Sequence, residues 1–370
     1  MDVTPILDPL NEAQREAVSA PTTPALVIAG AGSGKTRVLV HRVAWLCDVE
    51  GVSPFSILSV TFTNKAAAEM RARVEELLGH NLAGMWMGTF HGISHRMLRA
   101  HWQEAKLKQS FQILDSGDQQ RLVKRVIQGL GLDQDKWPHK QASWFINSQK
   151  EEGFRPKDLH DNGDITQRQL IRIYAAYQEA CEQTGLVDFA ELLLRSLELL
   201  KQSPEILAHY QTKFRHILVD EFQDTNSIQY HWLKLLAGTQ NPIFAVGDDD
   251  QSIYGWRGAR IENIQSFEKD FKDSQLFRLE QNYRSTNTIL SAANSLIDNN
   301  QGRMGKKLWT DGDDGEPIYL YASFNEQDEA RFVADKIKHW LDTTSSKRQD
   351  IAILYRSNAQ SRMFEEIFIS

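Results

Sequence analysis

Only two of the 370 residues are cysteine, Cys47 and Cys181, far apart and in no C-x-x-C pair. That scarcity argues against a disulfide framework or a zinc cluster and fits a reducing cytosol. No apolar run approaches the length of a membrane span, and the opening "MDVTPILDPLNE" lacks the basic start and apolar core of a secretion signal. A cytoplasmic, enzyme-like protein with no membrane partner is expected. A broad basic field is missing too. The net charge of −7 cuts against a protein that coats nucleic acid, though not against one that holds it in a single groove. What is present, 41% hydrophobic and 25% charged residues, is the balance of a globular chain long enough for two or three cores.

Short β-rich apolar runs recur, each followed by helical periodicity: "ALVIAG" (25–30), "SILSVTF" (56–62), "GMWMGTF" (84–90), "HILVDE" (216–221), "IFAVGD" (243–248) and "LFRLEQ" (276–281). This alternation implies an α/β fold with a mostly parallel sheet wrapped by helices. Between residues 92 and 214 the strand signal fades. "GDQQRLVKRVIQGL", "QRQLIRIYAAYQEACEQ" and "FAELLLRSLELLKQ" have apolar residues at helical spacing, which predicts a helical insertion between two strands of one sheet. From about residue 281 a second βα pattern begins. "STNTILSAANSLIDNN" and "NEQDEARFVADKIKHWLD" read as helices, "EPIYLYASF" and "DIAILYRS" as strands. The last stretch, "AQSRMFEEIFIS", starts a helix without a closing cap, so the final domain reads as unfinished.

"AGAGSGKT" (29–36) follows an apolar strand and opens into a helix, the setting a P-loop requires. Glycines 30, 32 and 34, interleaved with Ala29, Ala31 and Ser33, let backbone N–H groups turn inward on phosphate oxygens, and the helix start adds its positive dipole end. Lys35 is placed for the β- and γ-phosphates, and the Thr36 hydroxyl for Mg²⁺. Ala29 stands where the motif opens with glycine. The competing reading, a glycine-rich turn before a helix, does not account for the complete G-K-T ending.

"HILVDEFQD" supplies the second half of such a site. Asp220 is expected to hold Mg²⁺ through its water shell, and Glu221 to orient or deprotonate the attacking water. Alone, an Asp-Glu pair after a strand is a solvated strand end; beside a P-loop it points to nucleoside triphosphate hydrolysis. A GTPase would carry an N-K-x-D guanine reader, and none occurs. Gln14, before the first strand, has an amide suited to both edges of adenine, although taken alone a glutamine near a helix start is more often solvated.

"VGDDDQSIYGWRGA" (246–259) joins two chemistries. Asp248 is expected beside Asp220 within reach of metal, and Gln251 offers a neutral amide to a γ-phosphate or the attacking water. Tyr254, Trp256 and Arg257 then present flat rings beside a cation, which suits single-stranded nucleic acid at about 1–3 kcal/mol per stacked base. Core packing of the two rings is the alternative; the flanking Gly255 and Gly258 favour an exposed loop. "TFTNKAAAEM" (61–70), with Thr61, Phe62, Thr63 and Asn64, and "GTFHG" (88–92), with Thr89 and His91, bring hydroxyls, an amide and rings to neighbouring strand ends. Taken singly, His91 reads as a structural histidine.

These segments, with "LEQNYRS" (279–285), resemble in content and order the motifs of superfamily 1 helicases, and the whole chain is similar to the UvrD/Rep type. The resemblance implies two RecA-like domains clamping ATP. The first comprises about 1–91 and 215–280, with 92–214 as its helical accessory subdomain; 281–370 is a partial second domain. It further implies that Gln14 reads adenine, Arg37 lies near the nucleotide, Tyr283 stacks on adenine and Arg284 reaches the γ-phosphate from the opposite domain. Phe62, Thr89, His91, Tyr254, Trp256, Arg257, Arg356 and Asn358 would line the DNA path. The implied activity is ATP-dependent 3′→5′ movement along single-stranded DNA and opening of 3′-tailed duplex DNA, in excision and mismatch repair with repair proteins as partners. The family's later Q-G-L-E-F-like segment and second arginine motif do not occur in these 370 residues. Loss of an arginine finger costs about 10³–10⁵ in rate, so binding with poor unwinding is the expectation. The motor of a helicase–nuclease, and a truncated ATP- and strand-binding protein without turnover, are the alternative readings.

Overall fold

A computed structural model describes residues 3–369, the side chain of Arg257 excepted. Internal contacts gather the chain into two compact units, one up to Asp314 and one from Gly315 onward.

The strands run β1 (Ala25–Ala29), β2 (Ile57–Thr61), β3 (Trp86–Thr89), β4 (Gln112–Ile113), β5 (Leu186–Val187), β6 (His216–Val219), β7 (Ile243–Gly247) and β8 (Gln275–Leu279). Six of them form one all-parallel sheet in the order β3-β2-β6-β7-β1-β8. Successive side chains on a strand point to opposite faces. Leu26, Ile28, Val60, Ile217 and Val219 therefore enter one core, and Val27, Ile57, Leu218 and Val246 enter the other. Burial on both faces is why these runs are continuously apolar rather than alternating. Parallel pairing has a second effect: the carboxyl ends of all six strands lie along one rim, and every motif quoted above follows one of those ends.

The chain leaves that sheet after β3 and returns at β6, as the fading strand signal predicts. Between them run the helices Ser116–Gly129, His139–Glu151, Ile165–Thr184 and Phe189–Gln202, three of them N-capped by the carboxylates of Asp115, Asp164 and Asp188. The first three share a separate core around Val123, Ile146, Tyr174 and Tyr177, whereas the fourth packs Leu193, Leu194 and Leu197 into a core of the sheet. A buried ionic network stitches them together: Lys150 lies 2.7 Å from Asp188 and 3.0 Å from Glu191, and Arg155 lies 2.8 Å from Glu191. The parallel pair β4–β5 inside this region was not anticipated; two-residue strands carry too little pattern to read.

In the second unit the helices Glu326–Thr343 and Ser361–Ile369 form as expected. The two expected strands do not. Residues 317–324 and 351–355 form no ladder among the described residues, and Leu320 (97%) and Leu354 (94%) stand almost fully exposed. A β pattern becomes a strand only when a neighbour takes up its N–H and C=O groups. No helix among the described residues is long and apolar enough to cross a membrane.

Candidate functional site

After β1 the backbone turns left-handed at Gly32 (φ 69°) and Gly34 (φ 90°), which only glycine does without penalty. The helix Lys35–Asp48 starts directly behind them. In front lies a cavity of about 470 Å³ lined by Ala31, Gly32, Gly34, Lys35, Thr36 and Arg37 of the loop, with Glu221, Gln251, Tyr283 and Arg284. Ala29, Gly30 and Ser33 form the outer scaffold: Ala29 ends β1, the Gly30 N–H donates to Leu279 O at 3.2 Å, and the Ser33 hydroxyl donates to Gly30 O at 2.7 Å.

Lys35 Nζ reaches Glu221 Oε2 at 3.0 Å, and the same oxygen accepts from Gln223 Nε2 at 2.8 Å. Glu221 itself is held at φ 48°, a left-handed conformation that costs a non-glycine residue about 1–3 kcal/mol and is characteristic of functional sites. Asp220 is buried beside it. Burial, then the charge of Glu221, push its carboxyl up to about 7 against the pull of Lys35. A carboxylate so deprived of water is one a divalent cation would charge fully. Together with the Thr36 hydroxyl it offers the hard oxygen donors that suit Mg²⁺.

Asp248, expected within reach of that metal, is occupied otherwise. It is buried and lies 2.6 Å from the ammonium of Lys306, a residue the sequence did not single out. Gln14 is fully buried and faces the back of the P-loop. Its Nε2 donates to Ser33 O at 2.8 Å, and its Oε1 accepts the Asn11 N–H at 3.1 Å as part of a capping box. Tyr283 and Arg284 lie in the same compact unit as the P-loop, with the Tyr283 N–H donating to Gly32 O at 3.0 Å. Arg73, on the helix Asn64–Leu78, also lines the cavity. No sequence signal marked it.

A second cavity, about 680 Å³, opens along the same rim. Phe62, Thr89, His91, Tyr254 and Trp256 line it together. Trp256 is 73% exposed, with its ring centroid 6.3 Å from that of Tyr254, so core packing is excluded for it. The Thr89 hydroxyl caps the helix Phe90–Ala100 by accepting the Gly92 N–H at 3.1 Å, which leaves its proton to donate. His91 packs edge-on against Phe189 with 5.8 Å between ring centres, and burial lowers its pKa to about 4. Phe189 and the exposed Trp144 come from the helical insertion and complete the opposite wall; the sequence reading missed both. The described lining holds no lysine or arginine, and Arg257, expected here, has its side chain outside the described residues. Arg356 and Asn358 belong to the second unit, in a turn where Gln360 Oε1 accepts the Arg356 N–H at 2.9 Å.

One turn links the two cavities. Gln251 lines the first, while Tyr254 and Trp256 line the second. The turn after β6 does the same with Glu221 and Asp224. Asp224 is buried in the groove wall with no partner for Oδ1 among the described residues, and burial raises its carboxyl to about 6.

The family described as UvrD/REP helicase N-terminal domain matches residues 10–272. The chain belongs to the UvrD/REP helicase family. The UvrD-like helicase C-terminal domain matches residues 277–370. Among relatives, the chain is 62% identical over 369 residues to DNA helicase II of Escherichia coli (strain K12), covering 100% of this chain and 51% of that protein. The figures are the same for DNA helicase II of Salmonella typhimurium. Identity to the ATP-dependent DNA helicase PcrA of Staphylococcus aureus (strain COL) is 45% over 366 residues, 98% of this chain and 50% of the relative. The chain thus spans about half the length of the curated relatives it matches.

Proposed function

We propose that this chain carries the ATP-hydrolysing, strand-gripping portion of a 3′→5′ DNA helicase of excision and mismatch repair. Its partners are single-stranded DNA, 3′-tailed duplex DNA and repair proteins. Residues 1–91 and 215–280 form the ATPase domain, 92–214 its helical accessory subdomain, and 281–370 part of a second domain. The observation that carries the reading is the shared turn 248–258, with Gln251 at the nucleotide cavity and Tyr254 and Trp256 at the groove.

The chemistry follows from this chain's own groups. Loop N–H groups, Lys35, Arg37 and Arg284 surround the phosphates. Glu221, released by Lys35 when the lysine turns to phosphate, orients and deprotonates the attacking water. Bound at Thr36 and Asp220, Mg²⁺ would neutralise charge developing on the transferred phosphoryl group. Gln251 senses the terminal phosphate, and its loss relaxes the turn, so the stacking rings shift with the fuel. Gln14 supports the loop from behind, and Tyr283 stacks on the base.

The test is hydrolysis of ATP by residues 1–370 with and without single-stranded DNA, using Lys35→Ala as the control. Strand-stimulated turnover abolished by that substitution supports the motor. Strand binding with no turnover under any condition would leave only a passive binder.

A further inference from the structure

Two stretches far apart in sequence converge on Lys306. Its side chain is almost wholly buried, with the ammonium 2.6 Å from Asp248 Oδ1, 2.7 Å from Asp249 Oδ1 and 2.7 Å from Asp250 Oδ2. Arg303 grips Asp250 with two prongs, Nε to Oδ1 at 2.7 Å and Nη2 to Oδ2 at 2.8 Å. The Met304 N–H donates to Asp249 Oδ2 at 2.7 Å. Three carboxylates gathered within 4.8 Å would otherwise repel one another or protonate. Here the cation is supplied by the chain itself.

This cage connects to the hydrolytic groups. Asp248 Oδ2 accepts from Gln251 Nε2, and Gln251 lines the nucleotide cavity. The Asp248 N–H donates to Gln223 Oε1 at 2.9 Å, and Gln223 Nε2 donates at 2.8 Å to the Glu221 oxygen that Lys35 also holds. Two residues past the lysine, Leu308 packs so closely over Gly30 that a Cβ there would overlap it. The strap 303–308 therefore braces both the turn bearing Gln251 and the P-loop.

We infer that Lys306, supported by Arg303, is a positioning residue for recognition of the terminal phosphate: it fixes the 248–251 turn so that Gln251 meets that group. The inference deepens the ATP reading of the cavity and rests on it. Without the ammonium the three carboxylates spread, Asp248 no longer anchors the amide of Gln251, and the side chain samples other rotamers. ADP, which lacks the terminal phosphate, is indifferent to that loss.

The test measures binding of ADP and of a non-hydrolysable ATP analogue to residues 1–370 by titration calorimetry. Lys306→Met is expected to weaken the analogue about tenfold and ADP less than about twofold. Lys306→Met combined with Gln251→Ala should bind the analogue no more weakly than Gln251→Ala alone, because a residue acting through another adds nothing once its target is gone. Lys306→Arg should restore most of the preference. Arg303→Gln, at a less buried position, should lose about threefold in the same direction and keeps the test decisive if Lys306→Met does not fold. Equal losses for both nucleotides, an unchanged preference in Arg303→Gln, or additive losses in the double variant would overturn the inference. A wild-type chain that binds neither nucleotide would strike the ATP reading itself, a separate result.

Discussion

The nucleotide cavity and the aromatic groove share one rim of one sheet, yet they are built by different means. The cavity is made of glycines in left-handed turns, an ion pair and a water-starved aspartate, nearly all on turns that directly follow strands. The groove is made of rings and hydroxyls, and one wall arrives on inserted helices, with Trp144 and Phe189 lying 112 and 67 positions before Trp256 in the chain. Fixed charge and backbone geometry suit a ligand whose phosphates never vary. Flat surfaces without a cation in the described lining suit a ligand whose bases always vary.

That contrast can be broken most sharply at Lys35. Replacing it with alanine should cost about 10²–10³ in strand-stimulated ATP turnover, as loss of a preorganised charge donor does, while strand affinity without nucleotide stays unchanged. Parallel collapse of both readouts would mean that the two cavities are one site. Next comes the groove. Trp256→Ala should weaken binding of single-stranded DNA by about 1–3 kcal/mol with little dependence on base sequence. Trp144→Ala should do the same from the other wall, measurable by fluorescence anisotropy. Unchanged affinity in both would deny the rings a stacking role.

Legibility in the sequence follows the same division. The P-loop and the Asp220–Glu221 pair were readable because their groups are neighbours in the chain and the flanking strands announce them. The sheet and the helical insertion were readable from periodicity. Arg73, Lys306, Trp144 and Phe189 were not, since tertiary packing alone brings them to the rim. The pairing of Asp248 with Lys306 was not legible either, since its cation lies far along the chain. The segments 316–324 and 350–357 misled because alternation reports a willingness to pair, not a partner.

The smallest expected effect concerns His91. Burial lowers its pKa to about 4, so below the ordinary value near 6.5 the unfolded chain takes up a proton that the folded chain refuses. Stability should therefore fall as pH drops from about 6.5 towards 4, by at most about 1.4 kcal/mol per pH unit, the limit for uptake of a single proton. Thermal melts across that window should flatten in His91→Gln. An unaltered slope would remove the histidine from the groove's acid sensitivity and leave it to the carboxylates.

The left-handed backbone at Glu221 has one more consequence. Glycine would rest there more easily than the native residue, so relief of the twist and loss of the carboxylate proposed to activate water arrive in a single substitution. Directed evolution that rewards heat resistance alone should drift towards tougher but idle variants at this position, and libraries aimed at robustness do well to hold it constant.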